Sequence, residues 1–166
     1  MQIAPDDFLY FINGALDGML RIVEELGDER VNLRPDLPGA NSPYAILYHC
    51  VGCTNFWIGG LIAGRQVSRD RDAEFRAQGT VADIRQAVHA LKKQLQEDIA
   101  HVQGDRPLAY LDALKPLQAW TTRQDIQHWR QGKALVHAYE ELSQHHGQME
   151  ITRDIIMQQG SSALEK

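Results

Sequence analysis

The chain reads as an all-α protein, a four-helix bundle with long connections, and three observations carry that reading. Apolar residues recur at spacings of three and four along two stretches and every seven along a last one, the marks of helices that bury one face. Another stretch is apolar nearly all round, as a central buried helix would be. No pair of strand-like runs, internal repeat or low-complexity segment competes with these.

Composition sets the frame. The 166 residues are most simply one domain spanning 1–166, long enough to bury a real core. The net charge of -5 argues against a nucleic-acid partner, since phosphate-backbone binders are usually basic. No run approaches the roughly 18 apolar residues of a membrane span, so no membrane partner is expected. The stretch MQIAPDDFLYF has no basic region ahead of an apolar one, so no signal peptide is expected. Two cysteines make no disulfide framework and fit a cytoplasmic setting.

The first helix is expected over residues 8–26, where Phe8, Phe11, Ile12, Ala15, Met19, Ile22, Val23 and Leu26 form one stripe. Asp6 or Asp7 can cap its start and Gly27 can end it. DERVNLRPDLPGAN, with two prolines and a glycine, reads as a loop. Ser42 and Pro43 make an N-cap and first-turn pair for the apolar helix YAILYHCVGCTNFWIGGLIAG. Its Gly52, Gly59 and Gly60 weaken it by propensity, so close packing must compensate.

RQVSRDRDAEFRAQG reads as a solvated, charged connection. Thr80 opens the next helix, with Asp83 placed for a capping box. Ile84, Val88, Leu91, Leu95, Ile99 and Val102 extend its stripe towards a stop at Gly104. Residues 105–131 show no period and read as a long connection with one short helix at most. Lys133–Gln159 forms the last helix, with Leu135, Leu142, Met149 and Ile156 at heptad spacing.

That last helix holds the chemistry-bearing residues. Glu141 and His145 are four apart and share a face, with His137 one turn back and Gln148 one turn on. His146 is rotated from Glu141 by about 140° and belongs in the packing or at its rim. His49, alone in the apolar second helix, supplies a third ligand type from a facing element. Two histidines and a carboxylate suit a catalytic Zn2+ with an open fourth position; Ni2+ or Fe2+ also fits by ligand type. The plain alternative for His49 is a buried neutral imidazole bonded to a backbone carbonyl.

PYAILYHCVGCTNFW resembles the second-helix signature of the DinB-like (DinB/YfiT) metalloenzyme superfamily, with its helix-borne histidine and following tryptophan. WRQGKALVHAYEELSQHHGQMEITRDII resembles the last-helix signature of that superfamily, particularly the branch that includes mycothiol-dependent maleylpyruvate isomerase. Carried over residue by residue, the metal triad falls on His49, Glu141 and His145, with Glu141 standing where many relatives have histidine. The resemblance implies an up-down-down-up bundle, often a homodimer, with a divalent metal between helices. It also implies a small-molecule substrate and a low-molecular-weight thiol cosubstrate (mycothiol, bacillithiol or glutathione) for S-transfer or isomerisation. Metal would make that thiol a thiolate near neutral pH. Residues 65–131 carry no such resemblance and are expected to help form the substrate pocket.

Other residues have plainer readings beside functional ones. Cys50 and Cys53 form a C-x-x-C, but inside an apolar helix rather than at a helix start, which disfavours redox chemistry. Cys53 shares a face with His49 and can line the site or take the fourth metal position, closing it. His137 is the nearest substitute ligand, Gln148 a partner for a ligand, and Arg153 a partner for a substrate carboxylate or for Glu150. Tyr48, Trp57 and Trp129 are expected in the core or the pocket wall. Against the enzyme stands a non-catalytic bundle whose metal, or hydrogen-bonded His/Glu cluster, only fixes the helices.

Overall fold

The computed structural model describes residues 3–100, 102–109 and 125–164, with side chains to 159. The described residues are helical throughout their regular structure, with an isolated Pro107–Arg130 bridge and no strand. The helices are α1 (Pro5–Arg30), α2 (Pro43–Thr54), α3 (Arg71–Glu74), α4 (Val81–Ile99) and α5 (Gln131–Leu164). Helices α1, α2, α4 and α5 pack on one another, α1 against α4 and α5, and α2 against the same two.

Helix α1 starts earlier than the apolar stripe indicates, because Pro5 occupies its first turn, where a missing N–H costs nothing. Asp6 and Asp7 therefore sit inside the first turn rather than capping it, and there they favour the helix dipole. Gly27 does interrupt the helix, at φ 64° and ψ 176°, a conformation that suits glycine. One further turn then carries the helix to Arg30. Phe11, on the expected stripe, is exposed.

Helix α2 begins as its sequence indicates, with Ser42 Oγ accepting from Ala45 N at 3.3 Å and Pro43 behind it. From Asn55 to Ile62 the same rod continues in π winding, a local irregularity that often accompanies functional sites. Pro43–Ile62 has a mean hydropathy of 1.3 and is long and apolar enough to cross a membrane, contrary to the expectation from sequence. Yet 78% of that window is buried inside the protein, as in a core helix.

The charged stretch after Gly64 is solvated only in part: Gln66, Ser68, Asp70 and Asp72 are exposed, while Glu74 and the Arg69 side chain are buried. Gly64, at φ 77°, turns the chain back so that α3 lies against α2. Arg65 forks onto Asp98 of α4, with Nε and Nη2 each 2.8 Å from a carboxylate oxygen. Asp70 caps α3, accepting from Ala73 N at 2.9 Å. The Thr80–Asp83 capping box of α4 is present in both directions. The helix ends at Ile99 rather than Gly104, leaving Val102 half-buried beyond it.

Helix α5 runs longer than expected at both ends, and Leu142, Met149 and Ile156 of its heptad stripe are buried while Leu135 is half-buried. Residues 110–124, inside the expected long connection, lie outside the described residues. A short 3-10 turn, Ile126–His128, leads into α5. Fully buried Leu16 and Met19, Ile46 and Leu47, Ile84 and Leu95, and Leu142 and Met149 make one core across the four long helices. Each such side chain contributes about 1.5–3 kcal/mol by burial.

Candidate metal centre

The packing of α2 against α5 decides which of the chemistry-bearing side chains meet. On α2, His49 and Cys53 are one turn apart and both buried. On α5, His137, Glu141 and His145 follow one another at one-turn intervals. Across the interface, ligand atoms of His49, Cys53 and Glu141 all lie within 4.8 Å of one another, with Cys53 Sγ 3.9 Å from Glu141 Oε2. His145 stands beside this group, its ring edge-on to that of His49 with centroids 4.9 Å apart. Gln148 Oε1 lies 2.8 Å from His145 Nδ1, the contact it would need to support that histidine as a ligand.

His49 has a partner that sequence reasoning missed. Its Nδ1 lies 2.8 Å from Glu74 Oε2, so its bond runs to a carboxylate from the supposed loop, not to a backbone carbonyl. Arg69 grips the same carboxylate at both oxygens, Nε to Oε1 at 2.9 Å and Nη2 to Oε2 at 3.0 Å. The Arg69 and Glu74 side chains are only 6% and 7% exposed, which makes this a buried ion pair. Phe75 stacks on the His49 ring with centroids 4.2 Å apart. Gly52 makes the arrangement possible, because a Cβ there would lie on the Glu74 carboxylate. The compensating packing expected of the α2 glycines is thus visible at Gly52, and also at Gly59, whose missing Cβ leaves room for the Arg65 guanidinium. Arg69 and Glu74 carried one faint signal, a helix glycine that needed a close neighbour.

Electrostatics follow from burial. It pushes the His49 imidazole below its ordinary value, against the opposing pull of the Glu74 hydrogen bond. Burial alone would raise the Glu74 carboxyl, but hydrogen bonds from His49 and Arg69, with the Arg69 charge, hold it below the usual range. The Cys53 thiol is pushed up to about 12 by burial, and Cys50 is raised well above its ordinary value for the same reason. Both cysteines are free, and a redox C-x-x-C needs a thiol shifted in the opposite direction.

The remaining candidates fall around the group. His137 is buried, its Nδ1 3.0 Å from Glu140 and its Nε2 3.7 Å from Glu141. Its ring stands edge-on to Trp57 and Trp129, which stack on each other and lie in the core, one of the two places expected for them. His146 packs over Gly18 of α1, where a Cβ would meet its ring. Arg153 pairs with Asp154 at 2.7 Å and approaches Glu25 at 3.6 Å, with Glu150 a further electrostatic neighbour. A cleft of about 550 Å³ opens between α2, α4 and the 68–74 segment, lined among others by Tyr48, Asn55, Arg69, Glu74 and Gln94. A buried imidazole and thiol converging with a half-buried carboxylate are a donor set that fits a divalent transition metal.

An all-helical protein with such a group belongs with helical proteins able to hold a metal between their helices. The chain belongs to the mycothiol-S-transferase family, a DinB/YfiT-like family, whose model matches residues 7–158. No curated protein and no solved structure matches it.

Proposed function

We propose that the protein is a divalent-metal-dependent enzyme that uses a low-molecular-weight thiol, mycothiol first, for S-transfer or isomerisation of a small electrophile. The observation that carries this reading is the convergence of His49, Cys53 and Glu141 within 4.8 Å in a chain of the mycothiol-S-transferase family. His49, Glu141 and His145 would hold the ion, Zn2+ before Ni2+ or Fe2+ by ligand type. When bound, it would supply the Lewis acidity that makes a thiol nucleophilic near neutral pH. Cys53, protonated in the metal-free protein with its thiol pushed up to about 12 by burial, would wall the fourth position as long as a bound metal leaves its proton in place. Phe75 covers the His49 ring, Trp57 and Trp129 pack edge-on to the neighbouring His137, and Gln148 holds the His145 ring through Nδ1.

In this reading α1, α2, α4 and α5 are the members of an up-down-down-up four-helix bundle, acting in the cytoplasm as one domain. A homodimer would use the α1–α5 face, where Tyr10, Phe11, Val136 and Tyr139 are exposed and Phe11 meets Tyr139 edge-on. One observation favours a second reading. A sulfur beside the imidazole and carboxylate would close the coordination sphere, as in a structural metal site.

The test is turnover of metal-loaded protein with mycothiol and an electrophile, followed by thiol consumption and product mass. Wild type should turn over, and Glu141→Ala and His145→Ala should not. No turnover with mycothiol, bacillithiol or glutathione would leave the non-catalytic bundle.

A further inference from the structure

We infer that Arg69 and Glu74 are positioning residues for His49: Glu74 holds the imidazole in the Nδ1–H form, leaving the Nε2 lone pair for a metal, and Arg69 holds Glu74. The inference rests on the metal-site reading above and assigns a role to two residues of a segment whose sequence reads as a connection.

The tautomer follows from the contacts. His49 Nδ1 is 2.8 Å from Glu74 Oε2 and 3.3 Å from Arg69 Nη2. An unprotonated Nδ1 would set a lone pair against a carboxylate oxygen at hydrogen-bond distance. A protonated one donates to that oxygen and leaves Arg69 to the carboxylate, where it already makes two bonds at 2.9 and 3.0 Å. A neutral imidazole that donates through one nitrogen offers the other as a ligand. Metal-bound histidines commonly donate in this way to a carboxylate, which fixes both ring orientation and tautomer.

The seat for the carboxylate is built rather than incidental. Gly52, one turn from His49 on the same helix, leaves the space that Glu74 occupies. Phe75, next in the chain, stacks on the His49 ring at 4.2 Å and removes its freedom to turn. Asp70 caps the short helix that ends at Glu74, and Arg65 anchors the segment's start on Asp98. Glu74 and Phe75 thus meet the ring directly, and Asp70 and Arg65 fix the segment that carries them.

Two readouts separate positioning from a merely structural ion pair. In metal-free protein with 15N-labelled histidine, long-range 1H–15N correlation should show His49 of the wild type as the Nδ1–H tautomer. Zinc affinity, measured by competition with a chromophoric chelator, should fall about 10–100-fold in Glu74→Gln. The thermal midpoint of the same metal-free variant reports whether the fold survives. A folded Glu74→Gln that binds zinc as tightly as wild type overturns the inference while leaving the metal site standing. A wild type that binds no zinc overturns the metal-site reading and the inference with it. Should the variant not fold, the wild-type tautomer decides, and His49 protonated at Nε2 overturns the inference.

Discussion

Arg69→Met is the substitution that best separates a solvated connection from a buried, functional segment. It removes the guanidinium that meets both oxygens of Glu74 at 2.9 and 3.0 Å and leaves the carboxylate buried with only the His49 N–H described beside it. An exposed ion pair would cost about 0–1 kcal/mol to break. Here the partners are 6% and 7% exposed, and breaking a buried pair from one side costs about 3–5 kcal/mol, because the orphaned charge stays desolvated. For a chain of this size each kcal/mol moves the thermal midpoint by about 2–4 °C, so a fall of roughly 6–20 °C is expected. Adding Glu74→Gln should restore part of that loss, since no buried charge then remains. Urea and thermal unfolding of the two variants beside wild type measure both quantities. A loss under about 1 kcal/mol, or a double variant that is simply the sum of the singles, would refute the reasoning.

Other outcomes follow from individual contacts. Gly52→Ala should destabilise the protein although alanine gains about 1 kcal/mol by helix propensity, because its Cβ would displace Glu74. Gly14→Ala, in open space on α1, should stabilise it, and thermal midpoints that move in the same direction would contradict this. If Cys53 is a protonated wall, zinc binding at a pH of about 8 should release as many protons from wild type as from Cys53→Ser, since a thiol near pKa 12 loses its proton only to a metal. One extra proton per chain from wild type, measured in weak buffer, would identify a sulfur ligand and the closed site. Hydrogen bonds from the Thr80 backbone and side chain hold Asp83 below its ordinary 3.8. A depressed carboxyl stabilises above its unfolded pKa, and that contribution is lost as pH falls through the lower folded value. The gap in thermal midpoint between wild type and Asp83→Asn should therefore be steady near neutrality and close below about pH 4; a gap that persists in stronger acid would contradict the cap's role.

What the sequence made legible was local, and what it hid depends on tertiary packing. The Ser42–Pro43 start of α2 and the Thr80–Asp83 box need only neighbours within a turn, so residue type and spacing suffice to read them. The His137–Glu141–His145 ladder is equally local, a consequence of helix pitch. Arg69 and Glu74 looked like solvent-facing charges, because their burial depends on a turn at Gly64 and a vacancy at Gly52. Neither leaves a periodic trace. The π winding from Asn55 to Ile62 was equally invisible, since an apolar run has the same composition in either winding. At α1, Pro5 carried a start signal that the apolar stripe obscured. At α4 the stripe runs on through Val102 after the backbone has left the helix at Ile99, because periodicity marks burial and not hydrogen bonding.

The most direct test of the central claim, a metal held between α2 and α5 by His49, Glu141 and His145, is elemental mass spectrometry of untagged protein beside His49→Ala. The account predicts close to one zinc, nickel or iron per chain in wild type, lost in the variant. Metal that survives the substitution, or none bound even after reconstitution, would contradict it.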